Sequence, residues 1–209
     1  MLKNRIIGLI LVKGNLAVQS IGFNKFLPVG DPVCTAEFLN HWGIDEIIYL
    51  NISRDKVSNY ISQIRRISNK ITVPLSVGGG IASIDDVTML FDSGADKVSF
   101  NKSITINPKL VNNVGEMYGT QSIVASLDIK KINNQYHYYD YKSALYNKDV
   151  KLHLYNIESI GVGELLIQSI DNDGSLSGLD LNLITYVSKF ILKPIICAGG
   201  IGSSNHISK

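Results

Sequence analysis

The phrase Ser76-Val77-Gly78-Gly79-Gly80-Ile81-Ala82-Ser83 returns in degenerate form as Cys197-Ala198-Gly199-Gly200-Ile201-Gly202-Ser203-Ser204. Each copy closes a short apolar run, residues 71–77 and 193–197, and opens onto a possible helix start. A second echo runs beside it: Gly43-Ile44-Asp45-Glu46-Ile47-Ile48-Tyr49 matches Gly161-Val162-Gly163-Glu164-Leu165-Leu166-Ile167. Both pairs are offset by about half of the ~250 residues usual for an eight-stranded α/β barrel. Glycines after a strand let backbone N–H groups approach an anion, and a helix N-terminus favours negative charge. Two such places in one barrel suit a ligand with a phosphate at each end. A tight turn explains a single triple glycine equally well, so the repetition carries the inference.

The remaining pattern agrees with this fold class. Apolar strand-like runs fall at residues 6–12, 46–52, 72–77, 97–100, 122–128, 164–170 and 194–198. Amphipathic stretches of helical length fall at 32–42, 56–68, 84–93, 108–118, 150–159 and 182–190. Continuous apolar strands separated by helices predict a parallel sheet covered on its outer face. Pro32 and Pro108 suit first-turn helix positions. The expectation is a single incomplete (β/α)8 TIM-barrel domain over 1–209, with a two-fold internal repeat and half-barrels of about 1–120 and 121–209. Seven strands are counted, and the eighth strand and closing helices are missing. Either the chain is truncated or a partner closes it, because an unclosed barrel leaves exposed strand edges. Two long connections, 13–30 and 130–149, are places for lids and substrate contacts. In the second, Tyr136, Tyr138, Tyr139 and Tyr141 alternate as in a hairpin.

Composition excludes several classes. The chain has 209 residues, 45% of them hydrophobic, and a net charge of +2, so neither disorder nor a nucleic-acid or membrane field is implied. The first apolar run is too short to span a bilayer and lacks a signal-peptide cleavage site. Cys34 and Cys197 are far apart and read as reduced core thiols of a cytoplasmic protein. His41, His137, His153 and His206 have no metal spacing and read as surface residues, so neither a metal nor a cofactor is expected.

Longer phrases point to one family: Met1-Leu2-Lys3-Asn4-Arg5-Ile6-Ile7, Gly30-Asp31-Pro32, Gly43-Ile44-Asp45-Glu46, Val77-Gly78-Gly79-Gly80-Ile81, Gly94-Ala95-Asp96-Lys97-Val98-Ser99 and Ser169-Ile170-Asp171-Asn172-Asp173-Gly174. The chain resembles HisF, the cyclase subunit of imidazole glycerol phosphate synthase, from its first residue to its last. The resemblance implies a barrel that receives ammonia from a HisH-type glutaminase partner and uses two aspartates, ending the first and fifth strands, to close an imidazole ring. Asp128 matches the fifth-strand acid. Leu11 stands at the first-strand position, Gln19 replaces a basic residue, and Asn51 replaces an acid. Leucine cannot accept a proton, and general base catalysis contributes about 10²–10⁴-fold. Asp128 is then either a catalytic acid or a solvated strand-end residue.

Other matching positions are retained. Arg5, Glu46, Lys97 and Glu164 match the family's charged ammonia gate at the barrel floor; a salt-bridge cluster sealing the bottom is the other reading. Gly80, Asn101 and Lys102 match one phosphate site. Gly174, Gly199 and Gly200 match the other, with Asp173 nearby for a ligand hydroxyl or amine. A branch of the family with an aliphatic residue at the first-strand position accompanies surface-polysaccharide genes. Resemblance to that branch implies ammonia supply to a sugar amidotransferase, with a phosphosugar ligand, in place of ring closure. The alternatives are a working cyclase of histidine biosynthesis and a phosphate-binding scaffold without chemistry.

Overall fold

The computed structural model describes residues 5–53 and 55–207. Met1 to Asn4, which carry part of the family resemblance, and the last two residues lie outside the described residues. The chain divides into two compact units: Met1–Gln19 with Leu27–Ser99, and Ser20–Phe26 with Phe100–Lys209.

The first unit contains β1 (Ile7–Lys13), most of β2 (Leu16–Ile21) and β3 (Lys25–Gly30), α1 (Pro32–His41), β4 (Glu46–Asn51), α2 (Val57–Ser68), β5 (Leu75–Gly78), α3 (Ile84–Asp92) and the start of β6 (Lys97–Phe100). β4 pairs in parallel with β1 and β5, and β5 with β6. The connection over 13–30 is a strand pair: β2 returns antiparallel along the end of β1. Helix starts follow from side chains. Asp31 accepts hydrogen bonds from the Val33 and Cys34 amides, with Pro32 opening α1. Ser83 and Asp86 close a reciprocal capping box on α3. The apolar stripe Val57, Tyr60, Ile64 and Ile67 turns one face of α2 inward.

Strand register assigns the sheet faces. Ile7, Leu9 and Leu11 of β1 lie beside Glu46, Ile48 and Leu50 of β4, and Ser76 of β5 lies beside Lys97 of β6. These residues share one face. Ile10, Val12, Ile47 and Tyr49 occupy the opposite, helix-covered face and are buried.

The second unit contains α4 (Lys102–Ile106), α5 (Pro108–Tyr118), β7 (Ile123–Ile132), β8 (Gln135–Asp140), β9 (Leu145–Asn147), α6 (Val150–Ile160), β10 (Glu164–Ser169), α7 (Leu181–Val187) and β11 (Ile195–Ala198). A 3₁₀ turn covers Ser204–His206, where the sequence suggests a helix start. β10 pairs in parallel with β7 and β11. β7 runs past the strand end expected at residue 128. It turns at Asn133-Asn134, both at positive φ (49° and 61°), into antiparallel β8, and β9 adds a third strand. Asparagine tolerates the left-handed backbone that a two-residue hairpin turn needs. The tyrosine alternation is therefore a hairpin excursion. All seven expected parallel strands are present, and the fold is α/β of the TIM-barrel-like class.

Two smaller expectations fail. Cys34 is exposed, because α1 directs Pro32, Val33 and Ala36 inward and turns Cys34 outward. His153 is buried at 8% exposure, because α6 packs it flat against Tyr138 of β8, with ring centroids 4.2 Å apart.

Candidate functional site: two buried carboxylates and two glycine loops

Asp128 sits within β7 at 2% exposure, so the solvated reading of this residue fails. Register places Gln168 of β10 beside it, on the same face as Ser126 and Glu164. Its Oδ2 accepts hydrogen bonds from the Tyr141 hydroxyl at 2.6 Å and Asn101 Nδ2 at 3.0 Å. Its Oδ1 accepts one from Gln168 Nε2 at 2.9 Å. Burial pushes the carboxyl above its ordinary range; the bonds from Tyr141, Asn101 and Gln168 pull against burial, and the Asp173 charge adds to the rise. No cation touches Asp128 among these contacts. A carboxyl in such surroundings can hold or release a proton.

The first unit holds a different buried carboxylate. Glu46 is 1% exposed at the start of β4. Its oxygens accept from Arg5 Nη1 at 2.8 Å, from Lys97 Nζ at 3.1 and 3.0 Å, and from the Ser76 hydroxyl at 2.8 Å. Three of the four expected gate residues are thus components of the first unit, and Arg5, Lys97 and Glu46 touch. Two cations and a hydroxyl offset the desolvation of one carboxylate. Glu164 belongs to the second unit, where it opens β10 in register with Val124. Leu11 lies near the end of β1 beside Leu50, an apolar pair where the resemblance implies an acid.

The glycine loops divide similarly. Gly80 follows β5 at φ +73°, and a Cβ there would come within 1.9 Å of the Asp55 carbonyl, so only glycine fits. Tyr60 of α2 donates to the Gly79 carbonyl at 2.5 Å and holds the loop down. Ahead of α3, the Ala82 and Ser83 amides both donate to Asp86, and the Asp86 amide donates to the Ser83 hydroxyl. Asn101 and Lys102 belong to the second unit, where Lys102 begins α4 and the Asn101 amide is committed to Asp128.

In the second unit, Asp173 anchors the 20–26 segment. Its carboxylate accepts from the Phe23 amide at 3.1 Å, and its carbonyl accepts from the Gly22 amide at 3.1 Å. The neighbouring Gly174 abuts the Ser20 carbonyl, and Gly199 abuts that of Ser169. At Gly200, φ +95°, a Cβ would lie 2.0 Å from the Gly178 carbonyl. The hydroxyls of Ser20 and Ser169 are buried without a partner, as are Asn51 Nδ2 and Ser99 Oγ in the first unit. Buried polar atoms are nearly always satisfied, so each is unspent capacity beside a loop or strand end.

Gln168, Tyr141 and Ser76 are contacts that sequence reasoning missed. Gln168 and Ser76 had a signal, each being polar inside an otherwise apolar strand run. Among the described residues, no three His, Cys, Asp or Glu side chains gather as a metal site, and no helix is long and apolar enough to cross a membrane.

Comparison with known proteins agrees with this geometry. The family described as "Histidine biosynthesis protein" matches residues 5–209. The chain is 36% identical to imidazole glycerol phosphate synthase subunit HisF of Streptococcus sanguinis (strain SK36), over 99% of this chain and 84% of that protein. It is 34% identical to the subunit of the same name from Flavobacterium johnsoniae, over 99% and 83%. It is also 36% identical to a hisF2 subunit of Vibrio vulnificus (strain YJ016), over 100% of this chain and 78% of that protein. The chain belongs to the histidine biosynthesis protein family, as a HisF-type cyclase subunit of imidazole glycerol phosphate synthase.

Proposed function

We propose that this chain docks a HisH-type glutaminase and conducts its ammonia to the amidation of a sugar in surface-polysaccharide synthesis, with little ring closure of its own. The carrying observation is Leu11. An aliphatic side chain packed beside Leu50 stands where the resemblance implies a catalytic aspartate. Loss of one acid–base partner removes about 10²–10⁴-fold of rate, whereas ammonia transfer needs no carboxylate at that position. The Arg5–Glu46–Lys97 cluster supports the gate reading, since an apolar plug would seal a strand end at lower desolvation cost. The unpartnered hydroxyls of Ser20 and Ser169 beside Gly174 and Gly199 support a phosphosugar ligand in that loop. A nearby sugar amidotransferase would take the ammonia. This role needs neither a metal nor a cofactor.

A working cyclase is the second reading, favoured by the complete hydrogen bonding of Asp128. One experiment separates them. Glutamate release by a HisH-type glutaminase is measured with and without this chain, alongside turnover of the histidine-pathway substrate. Stimulated glutamate release with near-zero ring closure, partly restored by Leu11→Asp, supports ammonia supply. Full ring closure by the unmodified chain overturns it.

A further inference from the structure

The three donors on Asp128 differ in kind. Asn101 Nδ2 and Gln168 Nε2 are amide nitrogens, which donate and cannot accept. Tyr141 presents a hydroxyl, which does both. If Asp128 is protonated, the new O–H needs an acceptor, and of these three partners Tyr141 Oη alone supplies one. Tyr141 and Asn101 are the two partners not fully buried, and of these two donor groups only the hydroxyl both donates and accepts. Tyr141 lies in the turn between β8 and β9 and is half-buried, whereas Asp128 and Gln168 are 2% and 7% exposed.

The excursion is built to hold that ring. Asp140 accepts from the Lys142 amide and the Ser143 hydroxyl, both at 2.8 Å, which fixes the turn around Tyr141. Tyr139 packs edge-on against Tyr141 at 4.7 Å and against Tyr146 at 5.3 Å, and Lys130 Nζ stands over the Tyr146 ring. Among the described residues, Asp173 and Tyr146 are titrating groups whose charge couples to Asp128.

We propose that Tyr141 is the proton-exchanging and positioning group of this site, setting the ionisation of Asp128 and carrying its proton to and from water or the basic nitrogen of a bound ligand. In the transfer, the Asp128 Oδ2–H bond breaks as a new O–H bond forms at Tyr141 Oη. The original phenol proton leaves to the water or nitrogen, and the phenol is neutral before and after. The inference is independent of the ammonia-supply reading, because it holds equally for a ring-closing enzyme.

The test is the ¹³Cγ titration of Asp128 in the whole chain, unmodified and as Tyr141→Phe, with Tyr139→Phe as control. Tyr141→Phe should raise the proton affinity of Asp128 about tenfold or more, since a hydrogen bond to a charged group is lost. Its signal should broaden or split through the midpoint as exchange slows, while Tyr139→Phe titrates like the unmodified chain. An unchanged midpoint, or a signal that moves as smoothly as before, overturns the proposal. If Tyr141→Phe disturbs the fold, 3-fluorotyrosine at position 141 replaces it: a stronger donor should lower the midpoint, and no change refutes the idea.

Discussion

His153 should make the second unit acid-sensitive in a calculable way. Its ring is stacked on Tyr138 with an interplanar angle of 4° and is 8% exposed. Burial lowers its pKa from 6.5 to about 4, and the Asp140 charge opposes the fall only in part. The folded state therefore binds the proton more weakly than the unfolded chain. A histidine lowered in this way contributes stability that is present above pH 6.5 and is lost as pH falls toward 4. The full gap is worth about 3 kcal/mol at 1.4 kcal/mol per unit, and about 2 kcal/mol of it is lost between pH 7 and pH 5. His153→Phe keeps a flat ring against Tyr138 and removes the titration. Amide exchange of α6 and β8, read as opening free energies at pH 7, 6 and 5, should fall by about 2 kcal/mol more in the unmodified chain than in the variant. Parallel pH profiles for the two proteins would refute the argument, whatever their absolute stabilities.

Three other predictions rest on single contacts. Glu46→Leu removes the carboxylate that Arg5 and Lys97 share and should cost about 3 kcal/mol in urea unfolding of the first unit; Lys97→Met should cost less, because the Arg5–Glu46 pair remains. Gly80→Ala should destabilise by about 2 kcal/mol, since φ +73° and the Asp55 carbonyl both exclude a Cβ; a change under 0.5 kcal/mol would show that the loop readily rearranges. Cys34 is exposed, and the Cys197 thiol is pushed up to about 11 by burial, so a thiol reagent at pH 8 should label Cys34 at least tenfold faster.

The parts of the fold that repeat a simple rule were legible. The run Glu46 to Asn51 is buried along its whole length, and its Ile47-Ile48-Tyr49-Leu50 centre is a continuous apolar stretch that is visible without neighbours. Asp31-Pro32 and Ser83-Ile84-Asp85-Asp86 place helix starts through local hydrogen bonds that need no tertiary information. The 13–30 excursion was legible only as a long connection, and the 130–149 excursion as a long connection with a hairpin-like tyrosine alternation. Their strands are half-exposed, and Lys25 to Gly30 has no clean alternation to mark a face. Asp128 was legible as a carboxylate but not as a buried one, because its burial depends on Gln168 and Tyr141, forty and thirteen residues away. His153 and Cys34 failed for the same reason: a helix face cannot be oriented when apolar residues lie on more than one side of it.

The two buried carboxylates also separate chemistry from architecture. Glu46 accepts from Arg5, Lys97 and the Ser76 hydroxyl, so its oxygens are taken up by an ion-pair cluster. The cluster ties the start of β4 to the start of β6 through side chains alone. The three described donors on Asp128 are neutral, and its burial favours the protonated form. Its charge is thus conditional on those donors being in place, and one of them, Tyr141, rides on a surface excursion. Movement of that excursion away from β7 would remove the strongest of the three hydrogen bonds and raise the proton affinity of Asp128; its return would release the proton. Under the proposed role of Tyr141, anything that contacts its ring would reach the Asp128 carboxyl through one hydrogen bond.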